Sequence, residues 1–323
     1  MGRGYAFGKT ILIGDQFVLN GVPAILSALP YKTDTYVTKV PGGNGFTVID
    51  NRAEVPGYKR KKEEACNRSY EQMIKKMKLN LKKNHLKITV GGDLPAGSGI
   101  GASAAMCVSF ARACNDEFKL GLDKTDENFI GWLGEHPYHG TPSGVDNTAS
   151  SFGGIMLYMI RDEKKMYERI IPGKPLYVVL ANCGITYNTS LLDRHVESLI
   201  KSDTEIFYTN LNKISEQVFS MKKAIEKGEL KEVGNIMIKN HEILKQMDLS
   251  HEKLDELCKK TIDMGAYGAK LTGGGRGGYI VALVKDLSMQ RNIMEKLKSE
   301  NFPVIAAQLG INAEDNVKFR ILK

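Results

Sequence analysis

The chain reads as an α+β protein built in two parts. Its elements run strand-rich, then helix-rich, then strands again, with no regular βαβ alternation. A glycine-rich loop joins a strand to a helix that is apolar on most faces, as a buried central helix is. The 323 residues, 42% of them hydrophobic, supply core for one large or two ordinary domains. Proline and glycine cluster at Pro172-Gly173-Lys174-Pro175, which sets the expected division into residues 1–172 and 173–323.

The elements follow in order. Tyr5 to Phe7, Thr10 to Ile13, Ala24 to Ala28 and Thr35 to Val40 have strand character, punctuated by Gly14, Gly21 and Gly42-Gly43. Ala65 to Met77 is predicted helical, with Met73 and Met77 one turn apart and turned to the core. Leu86, Ile88 and Val90 alternate as a strand. Helices are predicted at Ala102 to Phe118 and Glu127 to Leu133, with Pro137 as a breaker, and Trp132 as core packing. Ile155 to Ile160 and Leu176 to Ala181 are apolar runs of strand length. Thr189 to Cys258 is mostly helical, interrupted near Ser202-Asp203, Gly228 and Asp248. Ala269 to Thr272, Tyr279 to Val284 and Val304 to Ala307 are predicted strands, with a helix at Leu287 to Lys298.

Composition narrows the function. Charged residues are 25% of the chain, which excludes wholesale disorder. No apolar run reaches the ~18 residues of a membrane helix, and Met1 to Lys9 lacks the pattern of a signal peptide. The five cysteines are scattered, without a C-x-x-C pair, which fits a reducing, cytoplasmic setting rather than a disulfide or zinc scaffold. Cys183 is expected to be buried. The excess behind the net charge of +8 is partly local: Lys59 to Lys62 with Lys75, Lys76, Lys78, Lys82 and Lys83 hold nine of the 45 basic residues. Without interleaved aromatics these runs read as solvated faces, so neither nucleic acid nor membrane is the expected partner.

Three stretches carry the chemistry. In Asp93 to Ala105, glycines at 97, 99 and 101 follow a strand and open a helix. Glycines let the backbone approach a ligand, and the helix N-terminus offers free N–H groups to a phosphate. The spacing is neither the dinucleotide fingerprint nor a Walker loop. In Lys270 to Tyr279, five glycines fall within six positions, which makes either a tight hairpin or a ligand contact. In His139 to Thr148, a Pro-Ser-Gly turn puts Asp146 at a helix start, where it is either a general base or a plain N-cap. His136 and His139 do not make a metal pair.

Together, and in this order, the stretches resemble the GHMP small-molecule kinases, over nearly the whole chain. Pro95 to Ala105 is similar to the family's Pro-x-Gly-x-Gly-Leu-Gly-Ser-Ser-Ala-Ala pattern, and Lys270 to Gly278 to its C-terminal glycine motif. Within the family the mevalonate kinases fit best. His139 to Thr148 resembles their substrate and base motif, Gly8 to Val18 their opening Gly-Lys-x-x-x-x-Gly-Glu-His-x-Val, and Asn240-His241-x-x-Leu244 with Leu249-Ser250 their C-terminal helical region.

The resemblance implies an N-terminal domain of the ribosomal-protein-S5 domain 2 type and a ferredoxin-like C-terminal domain. It implies ATP and Mg2+ as cofactors and a small hydroxylated metabolite as partner, mevalonate before others; a homodimer stays open. Asp146 would take the acceptor proton, with Lys9 beside it. Pro95, Gly97, Ser98, Gly99, Ile100, Gly101, Ala102 and Ser103 would cradle ATP, and Gly274 and Gly275 would close over it. Ser103 and Glu135 would bind magnesium. Asp15, Gln16, Thr186, Tyr187 and Thr272 are the implied acceptor-side residues. Asp15-Gln16 departs from the family's Glu-His, so a sugar or homoserine remains the alternative acceptor. Arg276 replaces a glycine and either contacts phosphate or points to solvent. An RNA-binding module is the remote alternative.

Overall fold

The computed structural model describes residues 1–82, 84–185, 189–311, 313–314 and 317–323, with no side-chain placement at residues 15, 16 and 189–193. Contacts divide the chain into two compact units. Unit 1 holds Met1–Lys9, Ala28–Gly153 and Leu322–Lys323; unit 2 holds Thr10–Ser27 and Gly154–Ile321.

The chain opens with β1 (Gly2–Ile13), a 3-10 turn at Asp15–Asn20 and β2 (Ala24–Pro41); both strands contribute residues to each unit. Unit 1 continues with β3 (Phe46–Asp50), α1 (Tyr58–Lys61), α2 (Glu63–Lys76), β4 (Asn84–Gly92), α3 (Ala102–Phe118), α4 (Lys124–His139) and α5 (Val145–Phe152). β2 pairs antiparallel with β4 from Thr33↔Gly92 to Pro41↔Asn84, and β3 runs parallel to β4. A parallel pair needs a crossover, and α2 lies within it. Met73 and Met77 enter the core as expected, with Tyr70, Ile88, Val90, Met106 and Phe110. Gly4 lets β1 lie directly on α3, since a Cβ there would fall 2.2 Å from the Ser109 carbonyl.

Pro137 does not break the chain between His136 and His139 as expected; it sits inside α4. Proline leaves the carbonyl four residues earlier without its donor. Here that carbonyl, Leu133 O, accepts from His136 Nδ1 at 3.3 Å, and Trp132 O accepts from it at 3.1 Å. The histidine ring supplies the donor that proline lacks.

Unit 2 contains β5 (Ile155–Arg161), β6 (Lys164–Ile170), β7 (Leu176–Asn182), α6 (Thr189–Ser202), α7 (Thr204–Lys227), α8 (Leu230–Gln246), α9 (Glu252–Asp263), β8 (Gly268–Thr272), β9 (Tyr279–Val284), α10 (Leu287–Ser299), β10 (Val304–Leu309) and β11 (Phe319–Ile321). Residues Ala24–Ser27 of β2 pair with β5, β5 with β6, and β6 with β11. A second sheet has the order β10-β7-β9-β8, antiparallel throughout. Numbered along the chain this is 4-1-3-2 in a βαββαβ series, the expected ferredoxin-like arrangement. The predicted helix breaks at residues 202–203, 228 and 248 are where α6, α7 and α8 end or hand over. Asp203 caps α7 by accepting from Ile206 N, and Gly228 ends it at φ 72°.

His241 of α8 is a buried neutral ring. Its Nδ1 accepts the Leu271 N–H at 3.4 Å, so the proton is on Nε2, which donates to Asp255 Oδ1 at 3.0 Å. Ser250 Oγ donates to the same oxygen at 2.6 Å. Burial pushes the His241 pKa down to about 4; the Asp255 charge opposes that shift and the Lys270 charge adds to it.

Two stability outcomes follow. Gly234 of α8 touches β8: a Cβ there would lie 2.3 Å from the Tyr267 carbonyl, and one on Gly268 would lie 2.1 Å from the Gly234 carbonyl. Helix propensity alone would make Gly234→Ala stabilising by about 1 kcal/mol. The backbone contact reverses the sign, and urea unfolding should show a loss of about 1–3 kcal/mol. For His241, the unfolded ring binds a proton below about pH 6.5, whereas the folded ring does so only near 4. The unfolded state therefore holds more protons between these values, and stability falls as pH drops through that window, by an amount of order 3 kcal/mol in full. Urea midpoints at pH 7, 5.5 and 4.5 should show a shallower pH slope in His241→Gln than in the parent chain.

Candidate active site

β1 delivers Lys9 into unit 1, where the residue is 6% exposed. Its backbone N–H donates to Ile100 O at 2.8 Å, which ties the strand to the glycine loop. Its Nζ lies 3.0 Å from Asp146 Oδ1. Asp146 is the second residue of α5, and the N-cap is Gly144, at φ 95° and with no side-chain cap. The carboxylate therefore goes to Lys9, not to capping. Lys9 is buried on all sides, while the Asp146 side chain keeps 29% exposure. The pair opens on the carboxylate side.

The loop after β4 turns through positive φ at Gly97, Gly99 and Gly101, the last being the N-cap of α3 without a side-chain cap. The helix N-terminus thus presents N–H groups that no side chain of its cap residue satisfies. The sequence explains Gly101 by ligand approach. The structure adds a second reason: a Cβ there would stand 2.7 Å from Lys9 Cγ, so the missing side chain gives the lysine its path. Gly97 packs in the same manner on the Tyr58 ring, at 2.5 Å. Pro95 O and Ile100 O are bonded to Ser98 N and Lys9 N. Ala102 O accepts from Arg52 Nη1 at 3.1 Å, and that guanidinium is held by Asp50 at 2.7 and 3.0 Å. Ser98 Oγ is buried in this loop with no hydrogen-bond partner among the described residues.

Ser103, in the first turn of α3, donates to Glu135 Oε1 at 2.9 Å and lies 3.3 Å from His139 Nε2. Glu135 is 2% exposed. Burial, and then the Asp146 charge, push its pKa up to about 8, while the Ser103 bond and the Lys9 charge pull the other way. A buried carboxyl, a half-exposed one and the Ser103 hydroxyl thus lie in one neighbourhood, with the Lys9 ammonium and the His139 ring beside them; those oxygens suit a hard cation that takes its remaining ligands from water and phosphate. Among the described residues no group of three or more His, Cys, Asp and Glu gathers as a self-sufficient metal cage.

In unit 2, Thr272↔Tyr279 is the last pair of β8 and β9, so the second glycine stretch closes a hairpin. Gly274 in it is exposed and Gly275 buried. Thr272 Oγ1 donates to Ile11 O at 2.9 Å and accepts Ile11 N–H at 3.1 Å, which commits the hydroxyl to β1. Arg276 does not stand free in solvent. At φ 57°, it places Nη1 3.2 Å from Asp248 Oδ2 and 3.1 Å from His195 Nδ1, and its N–H donates to Leu249 O. The Asp15 and Gln16 side chains, and Thr186 and Tyr187, lie outside the described residues. Cys183 is buried as expected. Sequence reasoning missed Arg52, Tyr58 and the polar role of Trp132. Only Arg52 had a signal, its i,i+2 spacing from Asp50.

Comparison with known proteins agrees with this geometry. Residues 67–154 match the family described as "GHMP kinases N terminal domain", and 221–304 match "GHMP kinases C terminal". The mevalonate kinase of Thermococcus gammatolerans is 31% identical over 303 residues, covering 86% of this chain and 87% of that one. The mevalonate kinase of Pyrococcus furiosus is 28% identical over 341 residues, covering 96% and 97%. A crystal structure of L. major mevalonate kinase in complex with R-mevalonate superposes with TM-score 0.89, at 32% identity and 97% coverage of both chains. Lactococcus lactis galactokinase shares the fold, at TM-score 0.72 and 18% identity. The chain belongs to the GHMP kinases and is a small-molecule kinase.

Proposed function

We propose that the protein transfers the terminal phosphoryl group of ATP to the hydroxyl of mevalonate, giving 5-phosphomevalonate. The observation that supports this most is the Lys9–Asp146 pair at 3.0 Å, beside a glycine loop that opens a helix. Asp146 takes the hydroxyl proton as the oxygen–phosphorus bond forms, and ADP leaves with the electrons of the broken bond. Lys9, with its Nζ 3.0 Å from Asp146 Oδ1, offsets charge on the transferring group. Residues Pro95 to Ser103 cradle the triphosphate, and the orphaned Ser98 hydroxyl is a donor suited to it. Gly274 and Gly275 are the nucleotide-side residues that the family resemblance implies for the second glycine stretch. Ser103 and Glu135 would hold magnesium, which when bound neutralises phosphate charge. The residues implied on the acceptor side are Asp15, Gln16, Thr186, Tyr187 and, through its backbone position, Thr272. We assign residues 1–172 to the nucleotide and catalytic domain and 173–323 to the C-terminal domain. The five free cysteines suit a cytosolic setting.

The acceptor is tested by assaying ADP release with mevalonate, galactose, N-acetylgalactosamine and homoserine. Turnover with mevalonate alone is expected; turnover with another compound and none with mevalonate moves the chain to a different acceptor, as the Asp15-Gln16 departure would allow.

Asp146→Asn should lower kcat by about 10²–10⁴-fold, with affinity for a non-hydrolysable ATP analogue nearly unchanged and the melting curve confirming the fold. Glu135→Gln should raise the magnesium concentration for half-maximal rate by roughly ten- to a hundredfold. If neither variant changes these quantities, the roles are wrong.

A further inference from the structure

Trp132, the chain's single tryptophan, is expected from sequence to be plain core packing. It is only half-buried, and its indole Nε1–H donates to Pro142 O at 2.8 Å. Pro142 is the buried midpoint of the loop from Gly140 to Gly144 that links α4 to α5. That loop ends on Gly144 at φ 95°, two residues before Asp146.

Among the described residues the loop is tied at both ends, in its middle and internally, where Val145 N–H donates to Ser143 Oγ at 3.4 Å. Gly140 N–H donates to His136 O at 2.8 Å, at the α4 end. Thr148 Oγ1 donates to Gly144 O at 2.6 Å, at the α5 end. Between them, the indole holds the middle. The two flanking glycines, at φ 67° and 95°, give the segment backbone freedom that the outer ties alone do not remove. The indole is itself locked. Phe129 stacks on it at 5.7 Å and 29°, and the His136 ring meets it edge-on at 4.5 Å and 80°. Residues 129, 132 and 136 share one face of α4, the i, i+3, i+7 spacing. The orientation of the N–H donor is therefore built in.

Resting on the kinase reading above, we propose that Trp132 is a positioning residue. Its N–H fixes the Pro142 carbonyl and thereby sets the reach of Asp146 toward Lys9 and the acceptor hydroxyl. The residue touches no reactant. It acts on the carboxylate through four residues of chain, and leaves the nucleotide loop at 97–103 alone.

The test is Trp132→Phe, which keeps an aromatic ring between Phe129 and His136 and removes the donor. Parent and variant are assayed side by side, with whichever acceptor the parent turns over. The expected result is kcat lower by about tenfold, since a misplacement near 1 Å costs up to about a hundredfold. KM for ATP should stay within about twofold, and the melting temperature within a few degrees. Hydrogen exchange over residues 140–146 should be several-fold faster, with residues 102–118 unchanged. Unchanged kcat, an equal loss in ATP KM, or unchanged exchange at 140–146 would overturn the proposal. The exchange arm needs no acceptor, so an error in the choice of mevalonate is seen separately, in the parent's turnover. If the variant does not fold, the parent decides. Its one indole N–H resonance should be protected from solvent exchange and shift on acceptor binding; a freely exchanging, insensitive resonance sinks the idea.

Discussion

The structure depends on one buried charge arrangement. An ammonium from residue 9 and a carboxylate from residue 146 meet at 3.0 Å, with a second carboxyl, Glu135, close enough for its pKa to respond to both. Such a cluster is poor value as a stability device. Desolvating two ions costs several kcal/mol, and a well-packed apolar pair of the same volume is often neutral or better. Its retention makes sense where charge must be handled without water. Lys9 paired with Asp146, with the Glu135 carboxyl within electrostatic reach of both, suits the handling of a cation and a polyanion. The neighbouring backbone supplies the anion's half: a capless helix start and a loop with three left-handed glycines. The fold is arranged so that β1, the loop after β4, α4 and α5 all converge on that point. Gly101 is where this convergence is tightest, because it serves the ligand approach and the lysine's path at once.

Much of this was legible in the sequence, for physical reasons. The buried helix α3 announced itself because a helix apolar on most faces has no other place to go. The glycine loops were legible because left-handed backbone is costly for other residues. Pairing Lys9 with Asp146 came from resemblance alone, since nothing local connects residues 137 positions apart. The misses are equally physical. β6 (Lys164–Ile170) is too charged to look like a strand, yet it pairs along its whole length with β5. It is reached by a two-residue turn at Asp162-Glu163 with φ 49° and 61°, which glycine or asparagine would have advertised. β3 is a half-exposed five-residue strand whose partner is supplied by tertiary structure. β2 was read as two strands, Ala24 to Ala28 and Thr35 to Val40, and Pro30 lies between them. Neither its ladder with β5 (Ala24–Ser27) nor that with β4 (Thr33–Pro41) includes that residue, so the missing N–H costs neither ladder.

At the candidate site, motif residues were legible and their supports were not. Arg52, Tyr58 and Trp132 lie in ordinary-looking segments. Each acts by touching backbone or ring: Arg52 the Ala102 carbonyl, Tyr58 the face of Gly97, Trp132 the Pro142 carbonyl. Contacts of side chain to distant backbone have no sequence period, so no pattern marks them. Thr272 and Arg276 likewise make contacts that their glycine motif does not announce: their polar atoms are bonded to Ile11 and to Asp248 and His195. A residue in a motif can be there to hold the motif's shape.

This separation bears on acceptor choice. The groups read as doing phosphoryl transfer, Lys9, Asp146, Ser103, Glu135 and the loop at 97–103, all belong to unit 1. Of the expected acceptor-side residues, Asp15, Gln16, Thr186, Tyr187 and Thr272, every one belongs to the sequence of unit 2. Phosphoryl transfer asks for the same positioning and charge neutralisation whatever alcohol receives the group. Discrimination between alcohols instead needs side chains that match particular hydroxyls and carboxylates. A galactokinase solved with galactose shares the fold at 18% identity, so the fold by itself does not name the acceptor. The geometry in unit 1 can therefore speak for the reaction, while departures such as Asp15-Gln16 speak for the acceptor, and a change in one does not require a change in the other.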